Sequence, residues 1–431
     1  MPRRSSILIL TMLVVCAVWG QWIEDSINVG TRPVVGLAYN RTSNVVYGGG
    51  YGAFLVLDCS TNRVIASSPW SYGGDVVYDT THEKAFCLFN RQSYYDSVLV
   101  VDGLAHSRTG VVAVNDGRYM VWNPTSGLLF VSETDDNSVA VIDCRRDSVV
   151  DRVQVRGEPI WMTLALPTQK LYVLSSSSRN VTIVDAATCE VLESVRVGDN
   201  LLGGCYNELT GKFYCATGDG LYVLDGHGDT VIAVLDLAVE KMVAVDTLVL
   251  AGSWARYPGR LHCIDARSDT EVGWAEVPGN PSAIALSPTS GLVYVACKKN
   301  HVVAVSRDGC RVVCNLAVSD DPISLEFGGV PPRLYVGHFN TDMLHVIRDT
   351  AAGIAEHTPE PLSGRPSETI SRGMLRLPGS ENAGLLDITG RQVMELQTGE
   401  NDIRHLAPGI YFVRTADSGK RPAVRKVVIQ K

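Results

Sequence analysis

The chain repeats itself, and its clearest copy is residues 280–307, NPSAIALSPTSGLVYVACKKNHVVAVSR. Residues 283–286 are an apolar run, 287–291 (SPTSG) a turn cluster, 292–295 a second run and 302–305 a third. A fourth run, 311–318, follows before the pattern restarts at Asp321-Pro322. Runs this short, bounded by Ser, Pro and Gly, predict strands. One such unit cannot bury both faces of its own sheet, so copies must stack on one another.

The end of the third strand serves as a ruler. It falls at Asp58, Asp102, Asp143, Asp185, Asp225 and Asp265, then at Ser306 and Arg348, with intervals of 44, 41, 42, 40, 40, 41 and 42 residues. A four-stranded propeller blade takes about 40–45 residues. The large central residue of the second strand is an independent ruler: Tyr47, Phe86, Phe130, Tyr172, Tyr214, Leu250, Tyr294 and Tyr335. Both predict an all-β propeller of eight blades, with seven as the alternative if the degenerate copy at 241–265 is distorted. Residues 22–29 (WIEDSINV) have the character of a fourth strand with no blade before them, while the last copy stops at Asp349 without one. The two ends are expected to share the last blade, which leaves the ring no seam.

These repeats resemble the YVTN family of propeller repeats. Leu166-Pro167-Thr168 with Leu171-Tyr172-Val173, and Ser287-Pro288 with Val293-Tyr294-Val295, carry the likeness best over residues 22–350. The resemblance implies the fold; binding proteins, surface-layer proteins and enzymes all use it.

Outside the propeller, assigned to 21–350, three segments differ in character. Residues 1–20 combine Arg3-Arg4, an apolar run at 7–15 and small residues before Gln21, the pattern of a secretory signal peptide. A lipoprotein reading through Cys16 fails on Val15, where a small residue is wanted. The apolar run is shorter than the roughly 20 residues a spanning helix needs, and no transmembrane span is expected in the mature chain. Residues 351–372, rich in Pro, Ser, Gly and Glu, read as a linker. Residues 373–431 alternate short apolar runs and turns, as a small β-sandwich does.

This tail resembles the C-terminal sorting domain of the bacterial type IX secretion system. The matching residues are Asp387, Gly390, Arg391 and Val393, then Leu406, Gly409, Tyr411 and Val413, and the basic pair Arg425 and Lys426. The family's Asn-Pro opening is absent. The resemblance implies export through the periplasm to the outer cell surface or beyond, with the export machinery as a partner.

The chain's eleven cysteines form no small-scaffold framework. They read mainly as small buried hydrophobes, with Cys205/Cys215 and then Cys310/Cys314 as the best disulfide candidates. No cysteine or histidine spacing suits zinc, and neither a nucleophile elbow nor a phosphate loop is present; no cofactor or metal is expected. The Asp that ends each third strand is expected to accept backbone N–H bonds from its turn. Glu133, Asp135 and Asp136 form a dense acidic loop without the alternating ligands of a calcium loop, so a solvated turn is expected there.

Residues 365–431 carry a net charge of +4 and residues 21–364 a net of −14. An acidic propeller argues against nucleic acid or an anionic membrane as partner. The loops expected on one face, between second and third strands and between blades, hold Trp70, Tyr72, Tyr94, Tyr95, Trp161, Trp254, Arg256, Tyr257, His338 and Phe339. Trp, Tyr and Arg are enriched where proteins bind others. The alternative for Trp161 is packing between blades. The residues thus predict an exported, non-catalytic propeller that binds a protein or glycan. A propeller enzyme of lyase or lactonase type, with a site in the central channel, is the alternative.

Overall fold

The computed structural model describes residues 21–30, 34–50, 52–68, 73–89, 97–253, 258–309 and 311–350, and in the C-terminal part 369–371, 374–377, 383–386, 391–407, 409–415 and 424–429. Two compact units are present, Met1–Ile354 and Ala355–Lys431.

In the first unit, eight four-stranded antiparallel sheets follow one another along the chain. Blades 1 to 7 span residues 34–68, 73–113, 117–154, 159–196, 203–235, 239–277 and 281–317. Blade 8 takes three strands from 322–349 and its fourth from Gln21–Asn28, which pairs antiparallel with Met343–Asp349 from Gln21↔Asp349 to Asn28↔Met343. The first strand of every blade touches the first strands of its two neighbours, blade 8 touching blade 1, so these strands line the central channel. The degenerate copy at 241–265 is a complete blade, which settles the count at eight. Leu250 fills its central position as fully as Tyr does elsewhere.

Each of the eight central residues is fully buried. Each also sits in a different apolar cluster, and each cluster lies between one blade and the next, Tyr335 closing the series between blades 8 and 1. Two repeated sets of polar contacts between blades run in the same rotational sense. Asn40, Asn123 and Asn207, at the ends of first strands, donate to the carbonyls of Gly103, Ala186 and Asp246 in the following blade. Lys84, Lys170 and Lys212, which open second strands, pair with Asp147, Asp229 and Asp269 of the following blade at 2.6–2.7 Å. Arg333 holds the corresponding place in blade 8 and donates to the Cys59 carbonyl of blade 1 at 2.9 Å. The repeated Asp acts locally: Asp58, Asp102, Asp143 and Asp185 each accept two amide N–H bonds from the turn that follows.

Cys205 and Cys215 are not bridged. Cys205 pairs in register with Tyr214, so Cys215, one residue on, points to the opposite face of blade 5. Their clusters accordingly lie on opposite sides of that blade. Cys310 lies outside the described residues.

The C-terminal unit has a five-stranded sheet, whose strands include the hairpin Ala383–Leu386 and Gln392–Leu396, and a two-stranded sheet of Met374–Leu377 and Gly399–Asp402. Leu375 of the smaller sheet shares a core with Leu385, Leu396 and Tyr411 of the larger one. Thr369–Ser371, expected to be linker, instead pairs parallel with Val424–Ile429. This three-residue strand is rich in β-branched residues and suits a sheet edge. The remaining linker residues, 351–368, and residues 1–20 lie outside the described residues. Among the described residues no helix is long and apolar enough to cross a membrane.

Candidate functional site

The first strands of blades 3 to 6, with the turns that follow them, wall a cavity of about 690 Å³ at one mouth of the channel. Trp122, Trp161, Leu164, Leu166, Tyr206 and Leu209 are among its lining residues. Leu166 and Leu209 stand in turns, where polar residues are usual, and are 39% and 69% exposed. Glu208 beside them is exposed. Asp246 on the next turn is paired with Arg307. The buried Nε1–H of Trp122 has no acceptor among the described residues. Leaving a buried donor unpaired costs about 1–3 kcal/mol.

Inside the cavity, Trp161 lies on the first strand of blade 4 rather than in a loop. Its ring stacks on Tyr119 at a centroid distance of 4.2 Å, its Nε1–H donates to the Gly204 carbonyl at 3.3 Å, and Lys241 Nζ stands 5.1 Å from the ring centroid. The indole is therefore held by three blades besides its own strand's pairing. It packs the wall and is not a free platform.

Two carboxylates, Asp75 and Glu326, sit on the channel-lining strands, and among the described residues no cation is bonded to either. Asp75 of blade 2 accepts the Met120 amide of blade 3 at 3.1 Å, and Glu326 of blade 8 accepts the Tyr39 amide of blade 1. Burial pushes Asp75 up to about 6 and Glu326 up to about 7, against the opposing effect of those amide bonds.

The aromatic face anticipated from the loops is corrected at His338 as well. The second strand of blade 8 runs on through His338, which is fully buried and bonded to His345 at 2.9 Å. Phe339, the next residue, is 45% exposed. Trp161 in blade 4 and Phe339 in blade 8 are not brought together. Trp70, Tyr72, Tyr94, Tyr95, Trp254, Arg256 and Tyr257 lie outside the described residues.

Glu133 is not part of a solvated acidic turn. Its buried carboxylate accepts from the Asn115 amide, Ser138 Oγ and Arg152 Nε at 3.0, 2.7 and 3.0 Å. Among the described residues no three His, Cys, Asp or Glu side chains assemble as a metal ligand set. In the C-terminal unit Tyr411 is buried and donates to the Ala407 carbonyl at 2.9 Å. Arg391 precedes the strand Gln392–Leu396, Gly409 opens Gly409–Thr415, and Lys426 lies in Val424–Ile429. Asp387 and Gly390 are outside the described residues.

The cavity's aliphatic turns carried a sequence signal of their own, Leu166 and Leu209 in place of polar turn residues. Its walls did not, because they depend on how eight first strands come together.

Eight four-stranded blades around a channel define an eight-bladed β-propeller. Among solved structures the chain is similar to the computationally designed Ika8 protein, with a TM-score of 0.62, 13% identity, and 74% of this chain and 98% of that one covered. It is also similar to Sqt1 of Saccharomyces cerevisiae, with a TM-score of 0.63, 10% identity, and 76% and 97% covered. Neither a family model nor a curated protein matches the sequence.

Proposed function

We propose that the chain is an exported, non-catalytic propeller that takes a segment of a partner protein or a glycan into the channel mouth formed by blades 3 to 6. The observation that carries this reading is the cavity of about 690 Å³, walled by Trp122, Leu164 and Tyr206 and rimmed by the exposed Leu166 and Leu209. Concave apolar sites with a few placed polar groups are the usual form of a ligand site.

Delivery belongs to the same proposal. Residues 1–20 have the pattern of a signal peptide, and the tail from Asp387 to Lys426 resembles a type IX sorting domain. Together they support passage through the periplasm to the cell surface or the medium, with the export machinery as the tail's partner.

The test is binding by the immobilised full chain to a glycan array and to envelope extract of the producing cell, run beside a Leu166→Asp/Leu209→Asp double variant. Capture by the wild type that the double variant loses is the expected result. Equal capture by both would place binding elsewhere, and no capture in either assay would remove the binding role.

A further inference from the structure

The ring-closing sheet holds two histidines that the proposed binding role does not use. His338 ends the second strand of blade 8 and is wholly buried; His345, in the third strand, is 6% exposed. Their rings meet at 64° with centroids 4.8 Å apart.

The hydrogen bonds assign the tautomers. His338 Nδ1 lies 3.2 Å from the Asp320 carbonyl oxygen, which only accepts, so this nitrogen carries hydrogen. In the neutral ring His338 Nε2 is then an acceptor, and His345 Nδ1–H donates to it at 2.9 Å. That leaves His345 Nε2 to accept from Ser319 Oγ at 3.5 Å. With both rings neutral the relay runs one way, Ser319 to His345 to His338 to Asp320. A first added proton is accommodated, because the Ser319 hydroxyl can turn and accept from His345 Nε2–H. When both rings are protonated, the two facing nitrogens are both donors and the bond between the rings is lost.

Among the described residues no carboxylate is bonded to either ring. Asp320 engages through its carbonyl. Asp321 accepts from Asn340, Asp342 from Asn28, and Asp25 of the closing strand from the Ser26 amide. Blade 7 presents Leu316 and Val318 to this side of blade 8, and the nearby loop of blade 7 carries the exposed Lys298 and Lys299. A cationic pair would therefore be buried with backbone carbonyls and a hydroxyl as its compensation and no counter-charge.

The relay also ties down what closes the ring. Ser319 and Asp320 belong to the loop leading into blade 8. That loop is joined to the loop 339–342 by Phe339 N–H donating to the Asp321 carbonyl at 2.9 Å. Asp342 in turn accepts the Val29 amide at 2.8 Å and the Asn28 side chain at 3.0 Å, at the end of the closing strand Gln21–Asn28. We propose that the His338–His345 pair is an acid-sensitive catch whose protonation frees these two loops and, with them, the closing strand.

Blade 8 is suited to local opening because its outermost strand is the chain's other end, so releasing it needs no other blade to unfold. The sign follows from burial, which lowers both rings from the ordinary value of 6.5, His338 to about 4. The closed state is favoured above about 6.5, and its advantage falls as pH drops toward 4. The opening constant rises by at most roughly tenfold per pH unit per ring across that window.

Hydrogen exchange read by mass spectrometry on the full chain between pH 7.5 and 4.5, corrected for the chemical exchange rate, tests the catch. Peptides from residues 21–30 and 318–349 should lose at least tenfold protection while blades 3 to 6 keep theirs, and His345→Gln, which cannot take up the proton, should stay flat. Unchanged protection in the wild type, loss spread equally over all blades, or the same loss in His345→Gln would each overturn the proposal. If His345→Gln does not fold, His338→Gln takes its place under the same criteria. Should neither fold, the wild type decides through its imidazole nitrogen resonances: both rings becoming protonated with no local loss of protection overturns the catch, and protonation that tracks the loss supports it.

Discussion

Arg333 Nε and Glu24 Oε2 lie 2.8 Å apart although 309 residues separate them in the chain. Arg348 donates to the other oxygen of the same carboxylate at 2.8 Å, and Arg333 also reaches the Cys59 carbonyl of blade 1. One acidic residue on the N-terminal strand thus joins the last blade to itself and, through Arg333, to the first. Burial opposes the charge on Glu24, but the bonds from Arg333 and Arg348 prevail and hold the carboxyl below its usual range. Its stabilisation is present above the ordinary carboxylate value of 4.5 and is lost as pH falls through the lowered one. Glu24→Ala leaves the nearly buried Arg333 without a counter-charge and should cost about 3 kcal/mol, the low end for breaking such a pair. Thermal unfolding at neutral pH measures this, and a loss within about 0.5 kcal/mol would show the clamp to be ornamental.

At the channel mouth, Leu166→Asp and Leu209→Asp replace exposed turn side chains. Each should alter fold stability by no more than about 0.5 kcal/mol. Partner affinity should fall by about 2 kcal/mol or more if either leucine is an anchor. Denaturant melts and titration with the captured partner separate the two effects. A large stability loss with intact binding would mean that the turns are packing.

The channel carboxylates give a pH dependence of opposite sign to that of Glu24. Glu326 is raised to about 7 from 4.5 by burial, so its charge burdens the folded state above about 7 and the burden fades as pH falls toward 4.5. Glu326→Gln keeps an acceptor for the Tyr39 amide. It should stabilise the chain at pH 8 by on the order of 2 kcal/mol and leave it nearly unchanged at pH 4. A difference that does not vary with pH would refute the assignment.

Cys205 and Cys215 should each be alkylated in unfolded protein that has never met a reductant. In the native state both should resist modification at pH 8, because burial pushes each thiol upward, that of Cys205 to about 12. Peptide mapping reads both outcomes, and a cross-linked 205–215 peptide would contradict the register.

If the tail directs the second crossing, as we propose, removing residues 385–431 should leave a folded propeller in the periplasm. Fractionation of the producing cell with an antibody to the propeller measures it. Surface delivery that survives the truncation would end the sorting role.

The blade count and the ring closure were legible because six of the eight copies obey two independent constraints and the last two keep the second. The Asp after the third strand satisfies a turn, and the large residue in the second strand fills the gap to the next blade. The copy at 241–265 keeps the turn constraint through Asp265, which accepts the Arg267 amide. It looked degenerate because Leu250 stands where the other copies carry Tyr or Phe. Leu250 is as fully buried, and the copy folds as a full blade. His338 misled because a polar residue at a strand end reads as loop, whereas a relay to His345 and Asp320 satisfies both its nitrogens inside the sheet. Glu133 misled in the same way: the local run was acidic, and the partner Arg152 that neutralises it arrives from the fourth strand of the blade, two strands away. The channel mouth was hidden because no single repeat contains it.

The register pairing of Gln21 with Asp349 places the two ends of the propeller side by side. Every forward contact from Asn40 to Arg333 joins one blade to the next in the same sense, so none depends on which blade is made first. The gene could then be restarted at any exposed turn between third and fourth strands, with the old ends bridged by a short peptide. The permuted chain would keep the same eight interfaces while moving its free termini to any chosen blade, and with them the place where a fused export tail is attached.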